Sequence, residues 1–70
     1  MKYGNLNLQN NDGNSALIIA CTQNNKVISK LLIDKGADIN LQNQNGENAL
    51  KIASNKNNTF IIKLFLQVFF

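Results

Sequence analysis

The sequence predicts an all-α chain built from helix-turn-helix units stacked into a short solenoid, with short β-hairpin or turn connections. Three observations carry that expectation. The chain matches itself at an offset of 33 residues. Each copy spaces its apolar residues at helical intervals. Each copy also holds a tight-turn dipeptide at the same place, Asp12-Gly13 and then Asn45-Gly46. At that offset Asn7-Leu8-Gln9-Asn10 falls on Asn40-Leu41-Gln42-Asn43, and Gly13 on Gly46. Ala16-Leu17 falls on Ala49-Leu50, Ile19-Ala20 on Ile52-Ala53, and Asn24-Asn25 on Asn57-Asn58. Ile28, Lys30 and Leu31 fall on Ile61, Lys63 and Leu64. A fixed period in this range marks a repeat architecture. Biased composition alone would match scattered Asn and Ile, but it would not also align the glycines and the Ala-Leu-x-Ile-Ala runs.

Each element follows from local chemistry. Asp12-Gly13 and Asn45-Gly46 are strong tight-turn signals. Ser15 and Asn48 are good N-cap types, because a side-chain oxygen can accept from the free N–H groups of a first helical turn. Ala16, Leu17, Ile19, Ala20 and Cys21 then form an apolar face on a short helix. Asn24-Asn25 can end that helix, since Asn tolerates the left-handed conformation. A second helix carries Val27, Ile28, Leu31 and Leu32 on one side, and Gly36 supplies a left-handed stop. Such a unit cannot bury its apolar faces alone and must stack on a neighbour. The expected organisation is one domain over 1–70, with a partial repeat at 1–7, a repeat at about 8–40 and another at about 41–70.

Composition excludes several classes of function. The chain has no His, one Cys and a formal charge of +3. Nucleophile–His catalysis, a disulfide within the chain and a four-ligand zinc site are therefore ruled out. No acid–base pair stands out, so no enzyme activity, cofactor or metal is expected. Asn is abundant, but it interrupts periodic apolar runs and forms no tract. The N-terminus shows no signal-peptide pattern, and the apolar stretch 60–70 is too short to span a membrane. A cytoplasmic protein is expected. Lys26, Lys30, Lys51, Lys56 and Lys63 lie on different elements among charges of the opposite sign, with Tyr3 the only aromatic residue outside the last helix. They read as ordinary solvated surface rather than a nucleic-acid stripe. Cys21 reads as a small core residue, and Asp34 and Asp38 as turn and capping groups.

The same residues resemble the ankyrin repeat. Gly36-Ala37-Asp38-Ile39-Asn40 looks like the family's Gly-Ala-Asp-Val-Asn junction, and Lys30-Leu31-Leu32-Ile33 like its second-helix signature. Gly13-Asn14-Ser15-Ala16-Leu17 and Gly46-Glu47-Asn48-Ala49-Leu50 look like its Gly-x-Thr-Pro-Leu, with Ala20-Cys21 and Ala53-Ser54 in place of Ala-Ala. Gly4-Asn5-Leu6-Asn7 looks like the tail of a preceding repeat. The resemblance covers essentially the whole chain. The family's helix-initiating Pro is replaced by Ala16 and Ala49, and its His by Ile18 and Lys51. Its inter-helix Gly is replaced by Asn24 and Asn57. These losses imply a fold of reduced stability.

The resemblance implies a protein–protein interaction module without catalysis. By position it places partner contacts at Asn11, Asp12, Asn14, Thr22 and Gln23, and at Gln44, Asn45, Glu47, Asn55 and Lys56. These residues belong to the hairpin tips and the ends of the first helices. None is Tyr, Trp or Arg, so binding through them alone should be weak. The run Leu64, Phe65, Leu66, Val68, Phe69 and Phe70 is no polar cap and could serve self-association. The alternative function is a fragment or terminal piece of a longer array with a structural role only.

Overall fold

The computed structural model describes residues 5–69, with side chains through Gln67. Tyr3, the first four residues of the expected partial repeat, the side chains of Val68 and Phe69, and Phe70 lie outside that description. Four helices follow in order: α1 (Ala16–Thr22), α2 (Lys26–Asp34), α3 (Ala49–Asn55) and α4 (Thr59–Phe69).

Side-chain caps start three of them. Ser15 Oγ accepts from Ile18 N at 3.2 Å, Asn25 Oδ1 from Ile28 N at 3.1 Å, and Asn48 Oδ1 from Lys51 N at 2.8 Å. Each such cap contributes about 1 kcal/mol. The helix ends are equally regular. Asn24 and Asn57 sit at φ 54 and 55, and Gly36 at φ 88. After each of these positions the next amide bonds back five residues: Asn25 N to Ala20 O, Ala37 N to Leu32 O, and Asn58 N to Ala53 O. This is the Schellman closure, which satisfies carbonyls at the end of a helix. In α1 and α3 it is built on Asn where Gly would be less strained.

The helices form two layers. α1 packs beside α3, α2 packs beside α4, and each pair closes on itself. Leu17, Ile18, Cys21, Ala49, Ile52, Ala53, Ile61 and Phe65 make the shared core with Ala37. Ala49 and Ala53, both almost fully buried, let α1 and α3 approach closely. Cys21 lies in this core, where burial pushes its thiol above the ordinary value and a 4.0 Å contact with Ser29 Oγ lowers it by less. Asn58 is buried as well, and its Nδ2 donates to Cys21 O at 3.2 Å, tying α1 to the start of α4. That bond crosses from one pair to the next, while the family's His positions hold Ile18 and Lys51. Ile18, which stands at one of those His positions, is itself only 1% exposed.

Two features become definite. The hairpins form turns but no strand among the described residues; their only β feature is one antiparallel bridge between Gln9 and Ser15. The turn side chains explain why, because they take up the backbone groups that a ladder would use. Asn10 Oδ1 accepts from Asp12 N and Asn14 N, both at 3.0 Å. Asn43 Oδ1 accepts likewise from Asn45 N and Glu47 N, at 2.9 and 3.0 Å. The C-terminal apolar run, in turn, is not one exposed patch. Leu64 and Phe65 are buried, whereas Leu66 is half exposed.

Candidate protein-binding groove

Successive turns are bonded to one another, and that ladder of loops fixes one wall of a groove. Gln44 N donates to Asp12 O at 3.0 Å and Gln44 Nε2 to Asn11 O at 2.6 Å. Gln9 Nε2 donates to Gln42 O at 2.8 Å and to Gly13 O at 2.7 Å. Gly13 is required where the two turns meet. It sits at φ 79, and a Cβ there would stand 2.8 Å from Gln44 N. Gly46 has a similar φ with open space around it.

The other wall is the C-terminal end of the first-layer helices. Between the walls lies an open cavity of about 450 Å³, lined by Asn14, Thr22, Asn43, Asn45, Glu47, Ile52, Asn55 and Lys56. Six of the ten residues expected to contact a partner thus share one concavity: Asn14, Thr22, Asn45, Glu47, Asn55 and Lys56. The other four do not line it. Asn11 and Asp12 lend their carbonyls to Gln44, and Gln23 forms the exposed C-cap of α1.

Asn43 is the groove residue that the sequence reasoning missed. Its Nδ2 donates to Asn14 Oδ1 at 3.0 Å and to Glu47 Oε1 at 3.2 Å, while its Oδ1 holds the turn. It therefore orients two groove side chains from different turns. The signal was present in the match of Asn10 to Asn43, each three residues ahead of a turn glycine. Ile52, the other missed residue, was assigned to the core and is 7% exposed at the groove floor.

The groove offers amide groups, one hydroxyl, one carboxylate and one ammonium. That set suits hydrogen bonding to a polypeptide, and it carries no nucleophile–base pair. Asp34 and Asp38 serve locally elsewhere: Asp34 pairs with Lys30 at 2.6 Å, and Asp38 Oδ1 accepts from Asn40 N at 2.9 Å. Lys26 lies over the Phe60 ring, 5.9 Å from its centre. Among the described residues no group of three or more His, Cys, Asp or Glu side chains converges, and no helix is long and apolar enough to cross a membrane.

The family model described as ankyrin repeats (3 copies) matches residues 2–69. No curated protein gives a significant match to the chain.

Proposed function

The chain belongs to the ankyrin repeat family, and from that premise we propose that it binds a protein partner through the groove between its turns and its first-layer helices. The family's members are generally protein–protein interaction modules and typically lack catalysis. What supports the finer reading is that Asn14, Thr22, Asn45, Glu47, Asn55 and Lys56 come from different elements yet line one concavity. Asn11, Asp12 and Gln44 at the turn tips and Gln23 at the end of α1 would extend the contact beyond the groove. An extended backbone laid along the groove would meet amide, hydroxyl, carboxylate and ammonium groups. It would meet no aromatic or guanidinium anchor, so affinity is modest and carried by hydrogen bonds.

Peptide display on the intact chain, followed by amide chemical-shift mapping of the selected peptide, tests this function. Shifts should concentrate at Asn14, Asn45, Glu47, Asn55 and Lys56. The double variant Asn55→Arg with Lys56→Glu should lose binding at an unchanged melting temperature, because both side chains are exposed. Shifts confined to the surface of α2 and α4 would refute the groove assignment.

A further inference from the structure

An asparagine side chain can be attacked at Cγ by the backbone nitrogen of the next residue. The attack is easiest when that residue is glycine, which has no Cβ in the way and turns freely. Fourteen asparagines stand in the chain, and only Asn45 precedes a glycine.

The fold leaves this pair open. Asn45 and Gly46 are both exposed. Asn10, Asn14 and Asn43 each commit a side-chain atom to a hydrogen bond. The side-chain amide of Asn45 bonds no other described residue. A Cβ on Gly46 would meet nothing within 4 Å. The equivalent turn of the first unit is closed. A Cβ on Gly13 would stand 2.8 Å from Gln44 N and 3.0 Å from Asn43 Cα, and Asp12 O accepts from Gln44 N at 3.0 Å. No described residue donates to Asn45 O in that way. One restraint acts on the open turn: Gly46 N donates to Asn43 O at 3.0 Å. Cyclisation must break that bond, so local opening of the turn gates the step.

We infer that Asn45 is a site of self-modification, which turns the groove from charge-balanced to acidic. The Gly46 nitrogen, its proton lost to hydroxide, bonds to Asn45 Cγ. The Cγ–Nδ2 bond breaks, and Nδ2 leaves as ammonia with a proton from water. The cyclic imide that results then takes up water. Opening at Cγ gives aspartate; opening at the α-carbonyl gives isoaspartate, with the backbone routed through the side chain. Water is the only co-reactant, and nothing is oxidised or reduced. Glu47 and Lys56 are the charged residues among those lining the groove, so a new carboxylate leaves it with excess negative charge. The isoaspartate form also lengthens the turn, which strains the 3.0 Å bond from Glu47 N to Asn43 Oδ1. The chemistry at Asn45 is independent of the proposed function, whereas its effect on a partner rests on that reading.

Asp12→Asn puts the same dipeptide into the closed turn and supplies the comparison. The variant is aged at mildly alkaline pH, and peptide mapping with isoaspartate detection follows both turns. In the folded chain, residue 45 should convert more than about fivefold faster than residue 12, because the closed turn opens less often. In denaturant the two should convert at similar rates. No conversion at residue 45, or equal rates in the folded chain, would overturn the inference. A preference that persists in denaturant would assign it to neighbouring residues rather than to the fold, and would overturn it as well. The consequence for the groove is read with the peptide selected by display on the unaged chain. Asn45→Asp should change its affinity about threefold, tighter for a basic peptide and weaker for an acidic one, and less in high salt. Unchanged affinity, with conversion at residue 45 intact, would refute the effect on the groove and not the site.

Discussion

The first helical pair is sealed on the side that faces the second pair, and the second on the side that faces the first. In the first pair the sealed residues are Leu17, Ile18 and Cys21; in the second they are Ala49, Ile52 and Ile61. Two pairs with much the same sequence thus draw their stability from opposite faces. In a linear stack a residue's contribution depends on whether a neighbouring unit lies against it, more than on its place within its own unit. Equivalent substitutions in the two pairs should therefore have unequal effects.

The largest contrast is expected between Phe65 and Leu32, which occupy the same repeat position. Phe65 is fully buried, and Phe65→Ala should cost about 3–5 kcal/mol in chemical denaturation, comparable to the whole stability of a chain this size. Leu32 is only partly buried, and Leu32→Ala should cost clearly less. Next come Ile61→Ala, at about 2–5 kcal/mol, and Ile28→Ala, at under about 1 kcal/mol, since only the former opens a cavity. If the two cost the same, the neighbour-dependent account fails.

A third pair of substitutions separates backbone strain from crowding. Gly46→Ala should cost about 1 kcal/mol for the left-handed backbone alone. Gly13→Ala adds the collision with Gln44 N and should lower the melting temperature further. Cysteine labelling gives a fourth contrast. Cys21 should resist alkylation until the chain unfolds, whereas a thiol installed by Ser54→Cys, on the open face, should react at once. The burial that protects Cys21 also raises its pKa above the ordinary value near 9.0. The unfolded chain therefore loses that proton first as pH rises. The thiol's contribution to stability is intact below about pH 9 and declines above it, and Cys21→Ser should flatten that decline. The smallest effect is expected at the exposed Lys30–Asp34 pair, where Asp34→Asn should cost at most about 0.5 kcal/mol and even less in high salt.

Much of the fold was legible in the residues themselves. Ser15 and Asn48 cap helices because short polar side chains reach a free amide, and Asn24, Asn57 and Gly36 take the left-handed conformation that few other residues tolerate. Those are local preferences, and the 33-residue self-match carried them from one unit to the next. The candidate groove was legible in part, since its polar turn tips could be placed by repeat position. Asn43 was not, because its role depends on reaching Asn14 in the neighbouring turn, 29 residues away.

Sequence by itself determined the helical pairs, their caps and stops, and the need for each unit to stack. Only the tertiary structure decided which face each apolar residue would lose to a neighbour. It alone showed that the hairpins remain turns, that Leu64 and Phe65 lie inside the stack, and that Asn58 bridges the two pairs. The physical reason is range: capping and turn preferences act within a few bonds of the residue that carries them, whereas burial is set by whatever other surface arrives, and two identical isoleucines differ only in that arrival.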